Sequence, residues 1–416
     1  MKFYENTSEK EKVMLISVDT GEFSAEESME ELSELVRTAG GETELTMIQK
    51  LPEVNPATFV GSGRIAEVKE ACENHEIDLI VADDELSPAQ LKNIEDITGV
   101  RVIDRTMLIL DIFALHARTG EGKLQVELAQ LKYSLPFLTG KGKGLSRLGG
   151  GIGTRGPGES KLESDKRHIR RRIYALEDEL KRLEKRRNNM RKRRKKDGII
   201  SVAIVGYTNA GKSTLMNRLT NAGVLAEDKL FATLDPTARK LTLPDGQSVM
   251  LVDTVGLVRR LPHKLVEAFK STLEEAKNAD LILNVCDASS EECSEHLRIT
   301  SELLRELECE DIPVISVMNK CDLVPDIYSL PTIGKSVMIS ALEGRGIDTL
   351  LNEIQNTLPR TRTRVKLLIP FDKGGILADI RNDGVIHSEE YTPDGTLADA
   401  TVNLNYLEKI KQYIKE

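Results

Sequence analysis

The sequence has no run of eighteen or more apolar residues, which argues against a membrane-spanning helix. Its opening, Met1-Lys-Phe-Tyr-Glu-Asn-Thr-Ser-Glu-Lys-Glu-Lys, lacks the apolar stretch of a signal peptide, and the expectation is a soluble, cytoplasmic protein. The five cysteines (Cys72, Cys286, Cys293, Cys309 and Cys321) are odd in number and scattered, without Cys-x-x-Cys spacing. That pattern speaks against zinc or a redox pair and for free thiols. Positive charge is also missing overall: the formal net charge is −9, which by itself argues against nucleic acid. The sign is unevenly spread, however. Between Lys166 and Lys196 stand 16 Lys and Arg against 4 acids, a local +12 that leaves −21 on the rest of the chain. One basic segment sits on an acidic body.

At 416 residues the chain exceeds one typical core, and four regions are expected: an N-terminal α/β domain at 1–122, an antiparallel helical hairpin at 123–197, a P-loop domain at 198–361 and a small α+β domain at 362–416. In the first region, Val13-Met-Leu-Ile-Ser-Val18, Ile77-Asp-Leu-Ile-Val-Ala82 and Val100-Arg-Val-Ile103 read as strands separated by amphipathic helices, the pattern of a small parallel sheet. Ser24-Ala-Glu-Glu caps a helix that should end near Thr38, before Gly40-Gly41. The Gly61-Ser-Gly63-Arg64 segment admits two readings, a phosphate-binding turn or a plain tight turn before a helix.

Leu124, Leu128, Leu131, Leu135 and Leu138 form a helical seam, with Pro136 near its end, and Ile169, Ile173, Leu176, Leu180 and Leu183 repeat it inside the basic segment. Two such helices should pack as a hairpin. Its tip, about residues 139–160, is rich in glycine and carries Lys141, Lys143, Arg147 and Arg155. Such a tip cannot build a core, but suits an arm that moulds to an RNA backbone, each cation neutralising a phosphate. A solvated linker is the alternative. From Thr363 on, Val365-Lys-Leu-Leu-Ile-Pro370, the Asp394-Gly turn and a final helix suggest a compact appendage for docking.

The clearest chemistry lies in the third region. The apolar run Ile199-Ile-Ser-Val-Ala-Ile-Val205 leads into Gly206-Tyr207-Thr208-Asn209-Ala210-Gly211-Lys212-Ser213-Thr214 and then a helix, the context that a Gly-x-x-x-x-Gly-Lys-Ser phosphate loop requires. Backbone amides would wrap the β-phosphate, Lys212 would reach the β- and γ-phosphates, and the Ser213 hydroxyl would bind Mg²⁺. Val249-Met-Leu-Val252 ends in Asp253-Thr254-Val255-Gly256, where Asp253 can hold Mg²⁺ through water and the Gly256 amide can meet the γ-phosphate. Leu281-Ile-Leu-Asn-Val-Cys286 is a further strand, and another, Ile312-Pro-Val-Ile-Ser-Val-Met318, runs into Asn319-Lys320-Cys321-Asp322. The Asp322 carboxylate can accept from both guanine N1–H and the exocyclic amine, whereas adenine presents an acceptor and no amine there. Asn319 would support the loop and base edge, the Lys320 stem would cover the ring, and Ser340-Ala341-Leu342 would complete the pocket with a backbone amide for the guanine oxygen. Together these elements select GTP and GDP.

In this order the elements resemble the translation-factor-related GTPases, and Phe231-Ala232-Thr233-Leu234-Asp235-Pro-Thr-Ala-Arg239 looks like the first switch of the HflX subfamily. The Phe59-Val-Gly-Ser-Gly63 segment, the glycine-rich connector ending in Gly-Pro-Gly-Glu159, the basic hairpin and the C-terminal appendage extend that resemblance over nearly the whole chain. The resemblance implies Thr233 as a second Mg²⁺ ligand that closes over GTP. It also implies binding to the ribosome, chiefly its large subunit and rRNA, and GTP-regulated separation or rescue of stalled or idle ribosomes under stress. A monomer is expected.

The catalytic set expected from all this is Lys212, Thr233 and Gly256. Many related GTPases place a glutamine just after Asp-x-x-Gly to orient water, but here the position is Leu257. Slow intrinsic hydrolysis, stimulated by a partner, is therefore expected. Asn209 resembles the position that potassium-dependent relatives use to hold K⁺ near the phosphates; a loop-stabilising hydrogen bond is the alternative. Two rival functions stay open. One is an RNA-remodelling protein with a second, ATP-binding site at Gly61 to Arg64; the other is a signalling GTPase whose basic hairpin meets a protein or an acidic membrane.

Overall fold

The computed structural model describes residues 10–139, 157–196, 198–220, 230–231, 237–254, 256–259, 274–325, 334–359 and 362–415. The chain forms two compact units: Met1–Arg187 with Glu227–Asp235 and Val258–Ser271, and Asn188–Ala226 with Pro236–Leu257 and Thr272–Glu416.

In the first unit, strands β1 (Lys12–Asp19), β2 (Glu42–Lys50), β3 (Leu79–Ala82) and β4 (Arg101–Asp104) form an all-parallel sheet in the order β2-β1-β3-β4. Helices α1 (Ala25–Ala39), α2 (Ser62–His75) and α3 (Pro88–Thr98) make the crossovers. Each starts where local chemistry dictates. The Ser24 side chain accepts from the Glu27 amide at 3.3 Å, and Ser87 and Gln90 form a reciprocal capping box with Pro88 in the first turn. The Gly61 amide that opens α2 donates to Gln49 Oε1 at 2.8 Å, the arrangement of a tight turn before a helix. The central strands β1 and β3 are buried, with Met14, Ile16, Ile80 and Ala82 in one core with Val68 and Ile94 from α2 and α3. Sequence reading passes over β2 because it is an edge strand, whose Thr and Glu residues alternate with only three apolar side chains.

Helix α4 (Arg105–His116) follows β4 directly, capped by Asp104, whose Oδ1 accepts from the Met107 amide at 2.9 Å. Helix α5 (Gly120–Ser134) gives way at Pro136 to a short 3-10 turn. The seam side chains Leu124, Leu128, Leu131 and Leu135 pack with Ile169, Ile173, Leu176 and Leu180 of α6 (Pro157–Lys196). At 40 residues α6 runs well beyond that seam. Ion pairs flank the packing: Arg172 grips Glu127 through two bonds at 2.7 and 2.8 Å, and Lys132 meets Glu177 at 2.7 Å. The connector residues 140–156 lie outside the described residues.

Two short pieces distant in sequence also belong to this unit. Phe231 is buried edge-on against Phe113 of α4, ring centroids 4.6 Å apart. The carbonyl of Arg259 accepts from the buried Arg105 guanidinium at 3.2 Å, and its own guanidinium meets Glu27 at 2.7 Å. Arg105 is further held by Asp83 at 2.9 Å and by Glu31, so its charge is compensated in the interior.

The second unit carries a six-stranded sheet in the order β10-β9-β8-β5-β7-β6, from β5 (Ile200–Gly206), β6 (Thr237–Thr242), β7 (Ser248–Asp253), β8 (Leu281–Asp287), β9 (Val314–Asn319) and β10 (Lys335–Met338). All neighbours are parallel except β6 against β7. Helices α7 (Lys212–Thr220), α8 (Cys293–Glu306) and α9 (Ile347–Thr357) accompany it. Strand β5 is central and its neighbours are reached in opposite directions, so its carboxyl end is a topological switch point, where α/β sheets bind ligands. The same unit includes a three-stranded antiparallel sheet, β11-β13-β12, from β11 (Arg362–Ile369), β12 (Val385–Thr392) and β13 (Gly395–Asn403). Helices α10 (Gly375–Asp383) and α11 (Leu404–Ile410) bury Leu377, Ile380 and Ile410 against it. No helix among the described residues is long and apolar enough to cross a membrane.

Candidate functional site

The site residues collect at the carboxyl ends of β5, β7 and β9. Gly206 ends β5 with φ +148°, and a Cβ there would fall 2.1 Å from the Val285 carbonyl oxygen, so no other residue fits. Gly211, at φ +88°, precedes α7; a Cβ would meet Asn319 Nδ2 at 2.3 Å. Between them Tyr207 to Ala210 turn back over the sheet end.

Lys212, first in α7, is buried, and its Nζ donates to the carbonyls of Gly206 (3.1 Å) and Tyr207 (2.7 Å). The ammonium thus folds over the loop and rests on carbonyl oxygens. Burial pushes its pKa down to about 8, against the opposing pull of Asp253. The Ser213 hydroxyl donates to Asp253 Oδ2 at 2.9 Å. A hydroxyl and a buried carboxylate side by side at the start of a helix and the end of a strand are hard oxygen donors, the kind that suits Mg²⁺ with its water shell. The residues present therefore fit that ion. Thr254 is fastened to Ile204 O through its hydroxyl, at 2.7 Å.

The Leu257 carbonyl accepts from the Thr208 amide at 2.7 Å, and the Leu257 amide donates to Gly206 O at 3.1 Å. This two-residue ladder stitches the strand end after Gly256 onto the phosphate loop, and the Leu257 side chain is buried.

On the base side, Asn319 Nδ2 donates to Ala210 O at 2.9 Å, and its Oδ1 accepts from the Ala341 amide at 2.9 Å. One side chain spans the phosphate loop and the Ser340 turn. Lys320 takes a left-handed backbone (φ +63°) and its Nζ pairs with Asp287 at 2.7 Å. The Ser340 hydroxyl, hydrogen-bonded to Asp322, holds that carboxyl below its ordinary range, so it is ionised and ready to accept. Cys321 points the other way, into a buried cluster with Met318 and Leu297. Leu342 is exposed.

Asn209 also has a positive φ, +59°, and its side chain is exposed. Phe231 packs its ring against Phe113 within the first unit. Ala232, Thr233, Leu234, Asp235 and Val255 lie outside the described residues.

Three contributors escape sequence reading. Arg218 of α7 donates to the Ala341 carbonyl at 2.9 Å and also to the Leu342 carbonyl, bracing the base loop. The His296 ring of α8 stacks on Tyr207 in the phosphate loop, centroids 3.8 Å apart, and its Nε2 lies 3.2 Å from Glu292. Asp287 is the anchor of Lys320. Of these, Asp287 alone had a local signal, an acid directly after the apolar run of β8.

Family models match along the chain: "GTP-binding GTPase N-terminal" at residues 26–114, "GTP-binding GTPase Middle Region" at 116–194 and "50S ribosome-binding GTPase" at 201–320. The GTPase HflX of Caldanaerobacter subterraneus subsp. tengcongensis is 49% identical over 406 residues, covering 98% of this chain and 94% of that protein. The GTPase HflX of Escherichia coli K12 is 42% identical over 386 residues, 90% of each. Among solved structures, a GTP-binding protein from Sulfolobus solfataricus in complex with GDP is 29% identical, covering 83% of this chain and 98% of that one, at a TM-score of 0.44. With a phosphate loop, a guanine-type base loop and such identity over nearly the full length, the chain is a P-loop GTPase and belongs to the HflX family.

Proposed function

We propose that this protein is a ribosome-directed GTP switch in the cytoplasm, which binds the large subunit and its rRNA and uses GTP turnover to separate or rescue stalled or idle ribosomes under stress. The observation that carries the reading is the match of residues 201–320 to a 50S ribosome-binding GTPase model, in a chain whose α6 presents a dense row of exposed cations. Arg170, Arg171, Lys181, Arg182, Lys185 and Arg186 all face solvent. A polyanion such as rRNA matches that row, and the binding should be salt-sensitive.

In the proposed site Lys212 exchanges the carbonyls of Gly206 and Tyr207 for β- and γ-phosphate oxygens. Ser213, Thr233 and, through water, Asp253 would hold Mg²⁺, which would neutralise charge on the phosphate oxygens. Asp322 reads guanine, with Asn319 and Ala341 fixing the pocket. The Gly256 amide meets the γ-phosphate, and Thr233 closes only in the GTP state, so hydrolysis releases both flanking segments. No side chain at Leu257 can orient water; intrinsic turnover is slow and a partner completes the site. Asn209 is the residue that would hold a K⁺ ion as additional charge; equal turnover in K⁺ and Na⁺ would remove that role.

The test is cosedimentation of the full chain with purified large subunits, in GDP and in a non-hydrolysable GTP analogue, at low and high salt. Binding that favours the analogue and falls with salt is expected. Equal recovery with and without subunits would remove the ribosomal reading and leave the GTPase standing.

A further inference from the structure

Cys286 and Cys293 lie at the two ends of the turn that joins β8 to α8, and their Sγ atoms are 3.1 Å apart, inside the contact distance of two sulfurs. Both are buried, in one cluster with Leu297, Met318 and Cys321. The seven-residue separation hides the pair from a search for Cys-x-x-Cys. Among the described residues no group of three or more His, Cys, Asp or Glu is placed to hold a metal ion, so the geometry is that of a thiol pair.

Its position matters more than its proximity. Asp287, directly after Cys286, holds Lys320 of the base loop at 2.7 Å. His296, one turn beyond Cys293, stacks on Tyr207 of the phosphate loop. The pair therefore stands at a joint with one arm on the base side of the nucleotide site and one on the phosphate side. Ordinary packing would account for two buried cysteines, but it does not require their sulfurs to face one another at this joint.

We propose that Cys286 and Cys293 form a reversible oxidation site, in which a peroxide converts the two thiols to a disulfide and thereby weakens guanine-nucleotide binding. This rests on the nucleotide-site reading and is independent of the ribosomal one. The Cys293 sulfur gives up its proton and attacks one peroxide oxygen; the O–O bond breaks, Cys293 becomes a sulfenic acid, and the departing hydroxide takes a proton and leaves as water. The Cys286 sulfur then attacks the Cys293 sulfur, the S–S bond forms, the S–O bond breaks, and the hydroxyl leaves with the Cys286 proton as a second water. The two sulfurs lose two electrons and the peroxide gains them. Either sulfur can donate across the 3.1 Å contact; donation by Cys286 favours the Cys293 thiolate, lowering its pKa while that of Cys286 rises, and makes Cys293 the first nucleophile. In the turn between them Ser289 and Glu291 are exposed, which gives a small oxidant a short path.

A disulfide needs its sulfurs at about 2.05 Å, so about 1 Å of closure is shared between rotation of the two side chains and movement of the first turn of α8 toward the end of β8. That displacement is passed to the His296–Tyr207 stack and to the Asp287–Lys320 pair. Displacing these contacts lengthens the hydrogen bonds that shape the two loops, and that costs affinity.

The experiment is a fluorescent-GDP titration of the full chain, reduced and after hydrogen peroxide, with peptide mapping by mass spectrometry. A peptide linking Cys286 to Cys293, a rise of roughly threefold or more in the GDP Kd, and recovery on adding dithiothreitol are expected. Cys286→Ser and Cys293→Ala should each bind GDP as the reduced parent does and ignore peroxide. Reversal in the unaltered chain decides the matter should either variant misfold. No linking peptide, an unchanged Kd once linked, or a response that persists in both variants would overturn the proposal. Failure of the reduced chain to bind GDP would instead remove the nucleotide-site reading.

Discussion

The side-chain amide of Asn319 donates to the main-chain carbonyl of Ala210 across 2.9 Å, so the loop proposed to hold the base is fastened directly to the loop proposed to hold the phosphates. The same side chain accepts from the Ala341 amide at 2.9 Å. Three segments far apart in sequence meet at one buried residue, and the shape of the site depends on it.

Asn319→Ala leaves a buried carbonyl and a buried amide without their partner, at about 1–3 kcal/mol each. The expected result is a loss of GDP affinity of roughly 10- to 100-fold, read by fluorescent-nucleotide titration, with little change in the far-ultraviolet circular dichroism. An unchanged affinity would show that the two loops are held by other means.

Lys212 makes an unusual contribution to stability when no nucleotide is bound. Its folded pKa of about 8 lies below the ordinary value of 10.5, so between these values the unfolded chain holds more protons than the folded one. Stability should therefore rise with pH across that window, by up to about 3 kcal/mol from this group. The check is urea unfolding of the nucleotide-free protein at pH 7.5 and pH 10, compared with Lys212→Met. The variant should lose this part of the rise, together with GTP turnover. The same pH slope in both proteins would place the buried charge elsewhere.

Asp322 is held ionised by the Ser340 hydroxyl, its pKa below the usual carboxylate range. The preference for GTP over ATP should then be flat from pH 5.5 to 8. Asp322→Asn keeps the shape but replaces one acceptor oxygen with an amide NH2 donor facing the guanine N–H groups, and competition between labelled GDP and unlabelled purine nucleotides should show guanine selectivity falling by roughly 10-fold or more. Selectivity preserved in that variant would mean that another group reads the base.

Leu257 acts through its backbone, which pairs with Gly206 and Thr208, while its side chain is buried. Leu257→Gln, which places a glutamine directly after the Asp253-x-x-Gly256 element, should therefore fail to raise intrinsic turnover. It should lower stability by about 1–3 kcal/mol, because an amide is buried in place of an apolar group. Faster hydrolysis in this variant would show that the position faces attacking water after all.

Much of the α/β fold was legible because its signals are local. The runs in β5, β7, β8 and β9 are continuous and apolar, and each is followed within a residue or two by glycine, aspartate or asparagine at the strand end. Edge strands were harder. In β6 only Leu241 is buried, and its Thr, Arg and Lys neighbours resemble a loop until pairing with β7 accounts for them. The hidden parts of the candidate site are long-range pairings. Nothing near Tyr207 announces His296, and nothing near Ala341 announces Arg218, since crossovers of the chain bring them together. The cysteines show this too: all five are free thiols, as their scattered spacing suggested, but nothing in that spacing announces that a turn brings Cys286 Sγ to 3.1 Å from Cys293 Sγ.

The central claim is that a ribosomal particle completes this GTPase. It is tested most directly by steady-state GTP hydrolysis with and without purified large subunits, at low and high salt, for the intact chain and for one lacking residues 140–158. Stimulation of at least roughly 10-fold that fades with salt and with the deletion is the predicted result. A rate indifferent to every ribosomal particle would contradict the account and send the search for a partner elsewhere.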